Sequence, residues 1–410
     1  MKMAKKNDLI VGLDIGTTKI CAVVGEVTPE GLDIVGIGTH PSVGLRKGVV
    51  VNIESTVESI KRAVEEAELM AGCEINSVYA GIAGGHIQGF NSHGVIAIKN
   101  REVSQQDIDR VIDAAKAVAI PFDREVIHIL PQEYIINEQG GIQNPLGMSG
   151  VRLEAKVHIV TGAVTSAQNI VKCCNRAGLD VCDIVLESLA SAEAVLIPEE
   201  RQLGVALVDL GGGTSDLAIF AENSIRHSSV LALGGNNLTH DIAVGLRTPL
   251  EEAEKIKQRY GCAVTGMIQK DETIQVPTVG GGKARVLSRQ ILGEILEPRV
   301  EEICFLLQRE LLRSGYSDLV ASGLVITGGS AMLPGLAELA EQVFDLPVRS
   351  GLPSDIRGLV DVVKNPMYAT GVGLVIYGAN SKPKKLFRIR QNNIFNRLVE
   401  RMRRWFGDIV

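Results

Sequence analysis

In the first forty positions apolar residues come in three short runs broken by glycine. LIVGLDIGTTK, ICAVVGEV and LDIVGIGT predict a β-meander over residues 9–39, because runs of this length bounded by turn residues suit buried strands. The period then changes. Over residues 55–71 apolar and charged positions recur at the spacing of a helix with one buried face. Residues 77–83 return to a strand. After Gly84-Gly85 a separate unit of about 80 residues begins, with strands predicted over 86–98, 125–137 and 152–164 and a helix over 105–118. Ser104 stands at the N-cap of that helix and Asp107 at its third position, close to a capping box. Further on come a strand pair around Asp209, a helix carrying Glu251, Glu254 and Lys257, and a long helix from about Gln290.

The last thirty residues follow a different pattern. Residues 381–391, SKPKKLFRIRQ, are basic and hold little core material, so they predict a tether. Beyond it Ile394, Phe395, Leu398, Val399, Met402, Trp405, Phe406 and Ile409 recur at three- and four-residue steps. Arg397, Glu400, Arg401, Arg403 and Arg404 fill most of the positions between. This is an amphipathic helix over 392–410 with a basic polar face. A helix packed on its own body or on a partner would also show such a stripe. The tether, the arginines and the aromatic end favour one lying on an anionic membrane surface.

Composition narrows the class. At 410 residues the chain is long enough for two to four domains. A net charge of −6 and 4% aromatic residues argue against nucleic acid as a partner. The seven cysteines show no metal-ligand spacing and mostly lie in apolar stretches, so they read as reduced core thiols in a cytosolic protein. The N-terminus leads straight into a strand rather than an export signal. No stretch approaches the ~20 apolar residues of a membrane span.

The candidate chemistry lies in two segments. Val11-Gly-Leu-Asp-Ile-Gly-Thr-Thr-Lys19 and Ala206-Leu-Val-Asp-Leu-Gly-Gly-Gly-Thr-Ser-Asp216 share one design: an apolar strand, an Asp, then a glycine turn with hydroxyl residues. Glycine lets backbone N–H groups curl around an anion. An Asp just before the turn can hold Mg²⁺, usually through water. Alone, each segment is read equally well as an ordinary hairpin. Together, in two halves of one chain, they suggest two lobes clamping one phosphate chain.

Ile326-Thr-Gly-Gly-Ser-Ala-Met-Leu-Pro-Gly335 resembles the adenosine motif of the actin-like ATPases, Glu187-Ser-Leu-Ala-Ser-Ala-Glu-Ala194 their first connecting helix and Pro366-Met-Tyr-Ala-Thr-Gly-Val-Gly-Leu374 their second. The motifs stand in that superfamily's order. The inserted unit comes after the 55–71 helix, whereas actin and the seventy-kilodalton chaperones carry theirs directly after the first meander. That placement, with VGLDIGTTKICAVVGEV, ESLASAEAVL and LPVRSGLP, resembles the bacterial cell-division FtsA family over essentially the whole chain.

The resemblance implies an α/β, actin-like two-lobed ATPase fold with an inserted α+β module in the first lobe and a C-terminal amphipathic helix. Its implied divisions are a first lobe at 1–83 and 163–196, an inserted module at 84–162, and a second lobe at 197–229 and 304–379. A second-lobe insertion at 230–303, a linker at 380–391 and the terminal helix at 392–410 complete it. It implies ATP and Mg²⁺ as ligands. Asp14 and Asp209 would act on Mg²⁺ through water. Gly16, Thr17, Thr18, Gly211, Gly212, Gly213 and Thr214 would bind phosphates, with Lys19 as an added charge or an ordinary exposed lysine. Gly234, Gly235, Gly328, Gly329 and Ser330 would face the nucleotide. Glu254 and Lys257 match a pair that approaches adenosine, and equally a solvated i,i+3 ion pair. Glu187 matches a water-orienting position, with slow or no hydrolysis expected.

The family's further implications are self-assembly and contact of later division proteins with the inserted module. They include a place at the septum on the cytoplasmic side of the inner membrane, and docking of the FtsZ C-terminal tail near Arg289 and Arg299, which would otherwise be solvated. Arg397, Arg401 and Arg404 would meet anionic lipid. A small-molecule kinase, or a pilus-assembly or chaperone-like ATPase, are the alternatives within the superfamily. A kinase has no evident use for the terminal helix, and a chaperone would carry a β-rich domain there.

Overall fold

The computed structural model describes residues 9–280 and 282–381. The tether and the amphipathic helix expected at 392–410 lie outside the described residues. Two sheets built to one plan form the frame. In the first, Leu9–Ile15, Lys19–Thr28 and Gly31–Pro41 make the antiparallel meander expected from the apolar runs. Ser77–Ile82 then pairs parallel to Leu9–Ile15, and Asp180–Leu186 parallel to Ser77–Ile82. In the second, Val205–Leu210, Ser215–Ala221 and Ser224–Leu231 form the meander. Leu324–Thr327 and Val348–Ser350 extend it in parallel. Reading from the meander's last strand, both sheets run third, second, first, fourth, fifth; the two-residue strand Arg357–Gly358 adds an edge to the first. Strands such as Val205–Leu210 are buried along their whole length, because helices cover the sheet, and so they read as continuous apolar runs.

Helices Glu187–Val195 and Ala369–Asn380 lie between the lobes. One apolar cluster accordingly joins Leu13, Ile20 and Ile82 of the first lobe to Leu207, Ala218 and Val325 of the second. A second cluster holds Val208, Ile219 and Ile326 together with Leu292, Leu296, Ile303 and Leu307 of the long helix Arg289–Ser314. That helix begins where the sequence predicts it and runs unbroken through position 303, with Pro298 in its interior. The division drawn between 303 and 304 therefore falls inside one element.

The inserted module is a four-stranded antiparallel sheet ordered Gln88–Ala97, Arg152–Ala163, Arg124–Ile136, Gln139–Ile142, with helix Gln105–Ala115 against one face. Ser104 and Asp107 do form a capping box: Asp107 N–H donates to Ser104 Oγ at 3.3 Å and Ser104 N–H donates back to Asp107 Oδ2 at 3.2 Å. Alternation sorts the faces of Arg152–Ala163. Leu153, Ala155, Val157 and Ile159 join the module's own core, and His158 points the other way, to Ser228 of the second lobe. The strand ends at Ala163 and passes directly into helix Val164–Arg176, where the sequence pattern shows no break. All seven cysteines are free and five are buried. Among the described residues no helix is long and apolar enough to cross a membrane.

Candidate functional site

The two glycine turns are twin hairpins brought face to face. Ile15 pairs with Ile20 and Leu210 with Ser215, so each hairpin leaves four residues free at its tip. The tips touch. A Cβ on Gly212 would lie 1.8 Å from Thr18 Oγ1, so only glycine allows the second turn to approach the first. Gly48 N–H donates to Thr17 Oγ1 at 2.9 Å and so holds the first turn.

A cavity of about 480 Å³ lies between the tips, within the range of small-molecule sites. Its lining includes Asp14, Gly16, Thr17, Thr18 and Lys19 from the first hairpin and Asp209, Gly211, Gly212, Gly213 and Thr214 from the second. Glu187 enters at the start of its helix, Gly235 at the start of another, and Gly328, Gly329 and Ser330 follow the strand Leu324–Thr327. Of the residues expected at the nucleotide, only Gly234 is not on this wall. It lies just behind, packed against the Gly211 carbonyl. Leu238, Met332, Leu333 and Pro334 add an apolar surface to the lining, one that suits a flat heterocycle. A Cβ on Gly329 would meet nothing within 4 Å, so the cavity is open on that side.

Glu254 and Lys257 satisfy both sequence readings. They form an i,i+3 ion pair at 2.7 Å, and both line the cavity. Lys257 Nζ also donates to the Gly235 carbonyl at 3.0 Å and to Thr239 Oγ1 at 2.8 Å, which ties the two helices together. Lys19 is not an exposed lysine. It sits 3.3 Å from Asp14 Oδ2, with its Nζ over the Tyr368 ring at 5.3 Å from the centroid. Burial works against its charge, but Asp14, with Cys21 and Tyr368 beside it, outweighs this and the pKa is raised.

Carboxylates concentrate beside the two hairpins. Asp209 accepts hydrogen bonds from Ser191 Oγ at 2.5 Å and Thr370 Oγ1 at 3.2 Å. Its pKa is nonetheless raised, by burial first and by Asp14 in addition. Asp216 faces Asp209 across the hairpin. Burial and then the Asp209 charge push Asp216 up to about 8, and its Oδ1 is buried without a hydrogen-bond partner. Glu187 is raised well above the usual carboxylate range by burial, then by Asp14, Asp216 and Asp209. Asp216 closes its motif in the sequence, yet the motif alone gives it no role. The signal lies in the hairpin register: a shift of the pairing would have placed it away from Asp209.

Buried carboxylates that resist ionising, one with an orphaned oxygen, fit a site that receives positive charge. Among the described residues no three His, Cys, Asp or Glu side chains converge as a direct metal cage.

Arg289 and Arg299 differ from the free basic rim expected of them. Arg289 pairs with Glu272 and donates through Nε to the Tyr260 carbonyl at 2.8 Å. Arg299 pairs with Asp241 at 2.6 Å and with Glu302. Ten residues apart on one helix, they sit roughly 15 Å from each other along its axis. Each is half-buried in a local ion pair, and they do not form one patch.

Comparison with known proteins agrees with this geometry. The family model described as "Cell division protein FtsA" matches residues 206–373, and "SHS2 domain inserted in FTSA" matches residues 84–161. The chain is 54% identical to the cell division protein FtsA of Pseudomonas aeruginosa, covering 99% of both chains. It is 45% identical to that of Escherichia coli K12, covering 93% of both. Among solved structures it is similar to the PilM–PilN type IV pilus biogenesis complex (TM-score 0.66, 17% identity, 91% of this chain and 99% of that one). It is also similar to MreB5 of Spiroplasma citri bound to ADP (TM-score 0.58, 16% identity, 92% and 97%). A third is the MamK double helical filament (TM-score 0.52, 14% identity, 92% and 100%). At these identities the solved structures speak for the fold alone, which is the actin-like one. The inserted module, the twin hairpins and near full-length identity above 40% therefore lead to one statement: the chain belongs to the FtsA family of cell-division proteins.

Proposed function

We propose that this chain binds Mg²⁺-ATP between its two hairpins, assembles with copies of itself, and ties the FtsZ ring to the cytoplasmic face of the inner membrane at the septum. One observation carries the nucleotide reading: both glycine hairpins, the Gly328–Ser330 turn and the apolar Leu238, Met332 and Leu333 line a single cavity. The amides of Gly16 to Thr18 and Gly212 to Thr214 would hold the phosphates, while the Gly211 N–H closes its own turn on the Thr214 carbonyl at 2.9 Å; Asp14 and Asp209 would face the cation's water shell. Mg²⁺, when bound, supplies charge neutralisation for phosphoryl transfer. Leu238, Met332 and Leu333 would pack against the base.

Glu187 would orient water. Burial, and then three nearby aspartates, hold its carboxyl well above the usual range, which fits a side chain that orients water and hydrolysis that is slow. The test is calorimetry of Mg²⁺-ATP binding on folded protein. Asp209→Ala and Gly329→Val should each weaken binding, the first by removing a carboxylate and the second by filling open space in the cavity. Unchanged affinity in both variants would sink the assignment.

Self-assembly is supported by the actin-like fold, which the MamK filament shares. Contact of later division proteins with the inserted module rests on the family resemblance. For FtsZ, a short tail of acidic and apolar residues would have to exchange with Asp241 or Glu302 for Arg299. Arg299→Gln, which removes the charge and keeps a polar side chain, should weaken tail-peptide binding and leave ATP binding intact. Equal peptide binding by both proteins would place the docking surface elsewhere. For the membrane, the stripe at 392–410 should anchor reversibly, with assembly raising its effective concentration. Deleting 392–410 should abolish co-sedimentation with anionic vesicles; sedimentation of the truncated protein would refute the anchor.

A further inference from the structure

The strand Ser224–Leu231 is the edge of the second lobe's sheet. An edge strand presents unpaired backbone groups, and proteins cover them. Here the cover is supplied by side chains of the inserted module, which is covalently part of the first lobe. Gln132 Nε2 donates to the Ile225 carbonyl at 2.7 Å. Asn91 Nδ2 donates to the Arg226 carbonyl at 3.1 Å and to Tyr316 Oη at 2.8 Å. Ser224 Oγ donates back to the Gln132 carbonyl at 2.8 Å.

His158 stands at the centre. Its Nδ1 is 2.7 Å from Asn91 Oδ1 and its Nε2 is 2.8 Å from Ser228 Oγ. Because Asn91 donates through its amide nitrogen, its Oδ1 accepts, and the network assigns the proton to His158 Nδ1. Nε2 then accepts from Ser228. The imidazole is 1% exposed, and burial, then His227, keep it neutral, with a pKa lowered to about 4.

The module is shaped for this contact. In the pairing of Arg124–Ile136 with Arg152–Ala163, Lys156 opposes Glu133 and Val157 opposes Pro131. Gln132 is therefore the extra residue of a β-bulge, and bulges re-aim side chains. Gly89 faces the same spot: a Cβ there would lie 2.4 Å from Ser228 Oγ and 2.7 Å from His158 Nε2. Beside the network lies a cavity of about 390 Å³, lined by Gln88 and Gly89, by the strand and by Leu306 and Glu310 of the long helix. Nearer the module's root, Ile87, Ile127 and Val160 belong to the same apolar cluster as Ile225. The root is thus fixed by apolar packing. The outer contact is polar, partly open and separable, as contacts between moving domains are.

Both ends of the contact lead to the cleft. Ser224–Leu231 pairs with Ser215–Ala221, the strand that carries Asp216. The module's root follows Ala83, which lines the cavity. Tyr316 stands just past the end of the helix that bears Arg289 and Arg299.

We propose that the inserted module is a brace across the two lobes, and that the His158–Asn91–Gln132 network with Ser228 couples the module's position to closure of the cleft. The brace itself rests on the contacts above; its coupling to nucleotide rests on the proposed nucleotide reading. A change in lobe angle must then strain or release the network, and by linkage the network must alter ligand affinity in the cleft by the same factor. These residues lie outside the cavity lining, so an effect on affinity would travel through the brace.

The experiment uses full-length protein, wild type, Gly89→Ala and Ser228→Ala, each checked for an unchanged circular dichroism spectrum. Hydrogen exchange without nucleotide should rise at least tenfold in peptides spanning 88–97 and 224–231 of both variants and stay unchanged in 19–28. No rise in either variant would overturn the brace. Calorimetry with Mg²⁺-ATP should show a five- to tenfold change in affinity in the variants, and exchange in 88–97 should respond to nucleotide in wild type but not in the variants. Equal affinity, or an equal response in all three proteins, would overturn the coupling. A wild type that binds no Mg²⁺-ATP would refute the reading of the cleft, and the coupling with it; the exchange result without nucleotide would still decide the brace.

Discussion

In the first lobe the aspartate before the glycine turn, Asp14, faces Cys21 across its hairpin and an ammonium, Lys19, at 3.3 Å. In the second lobe Asp209 occupies the same place, but the residue across the hairpin is another carboxylate, Asp216, and its close partners are the hydroxyls of Ser191 and Thr370. The backbones are the same and the charges are opposed. One turn carries its own counter-charge. The other sets two buried carboxylates face to face with hydroxyls as the nearest donors; burial first, and neighbouring carboxylates after it, raise the pKa of both Asp209 and Asp216. A duplicated fold has thus become an asymmetric clamp, with the second hairpin the more demanding of a cation.

The sharpest way to break this comparison is to make the first hairpin resemble the second. Cys21 is fully buried, and Cys21→Asp would put a second carboxylate opposite Asp14. We expect a loss of about 3 kcal/mol in urea unfolding at pH 8, the scale of burying an ill-matched charge. Wild-type stability in that variant would show that Lys19 leaves room for another acid and that the lobes are equivalent. Next in size, Asp209→Ala should weaken Mg²⁺-ATP by about 30- to 100-fold, the 2–3 kcal/mol of a charge-assisted interaction. Asp14→Ala should cost less, since Lys19 is released to the phosphates; the reverse order, by calorimetry, would invert the assignment.

The third test uses protons. With a folded-state pKa of about 8 against an ordinary value of 3.8, Asp216 stays protonated in the folded chain where it is already ionised in the unfolded one. The folded state then binds more protons, so stability falls as pH rises from about 4 to about 8, by at most roughly 1.4 kcal/mol per unit, and levels off above. Asp216→Asn should flatten this part of the curve in protein free of divalent cations. An unchanged slope would mean that Asp216 is solvated in solution. The smallest effect belongs to Lys19→Met. Freeing Asp14 from its partner should lower the Mg²⁺ concentration needed for nucleotide binding by about threefold, at the upper range of an isolated ion pair; a higher requirement would show that Lys19 serves the phosphates rather than Asp14.

Much of the site was legible because its signals are local. Apolar runs ending in Asp and glycine announced both hairpins, and Ser104 with Asp107 announced a helix start that the hydrogen bonds reproduce. Boundaries were less legible. The helix expected over 105–118 ends at Ala115; beyond it Ala117 N–H turns to the Ala114 carbonyl at 3.2 Å, and Pro121 cannot continue a helix. The helix Val164–Arg176 follows its strand with no turn residue between, and its N-cap Ala163 makes no side-chain hydrogen bond. Its buried positions Ala167, Ile170 and Cys174 do hold helical spacing, which was the signal available.

Strand runs, turn chemistry, the order of motifs and the amphipathic period at 392–410 were determined by the sequence by itself, since each depends on neighbours within a few residues. Three matters were decided only by tertiary structure. Asp216 became part of the carboxylate cluster because the hairpin register sets it opposite Asp209 and the fold brings Glu187 within reach of both, with Asp14 joining from the other lobe. Arg289 and Arg299 lost their free charge to Glu272, Asp241 and Glu302, partners that folding alone placed beside them. The inserted module reached the second lobe's edge strand through a bulge at Gln132 and a glycine at 89. No period or spacing records such a contact, because it depends on how two separately folded surfaces meet.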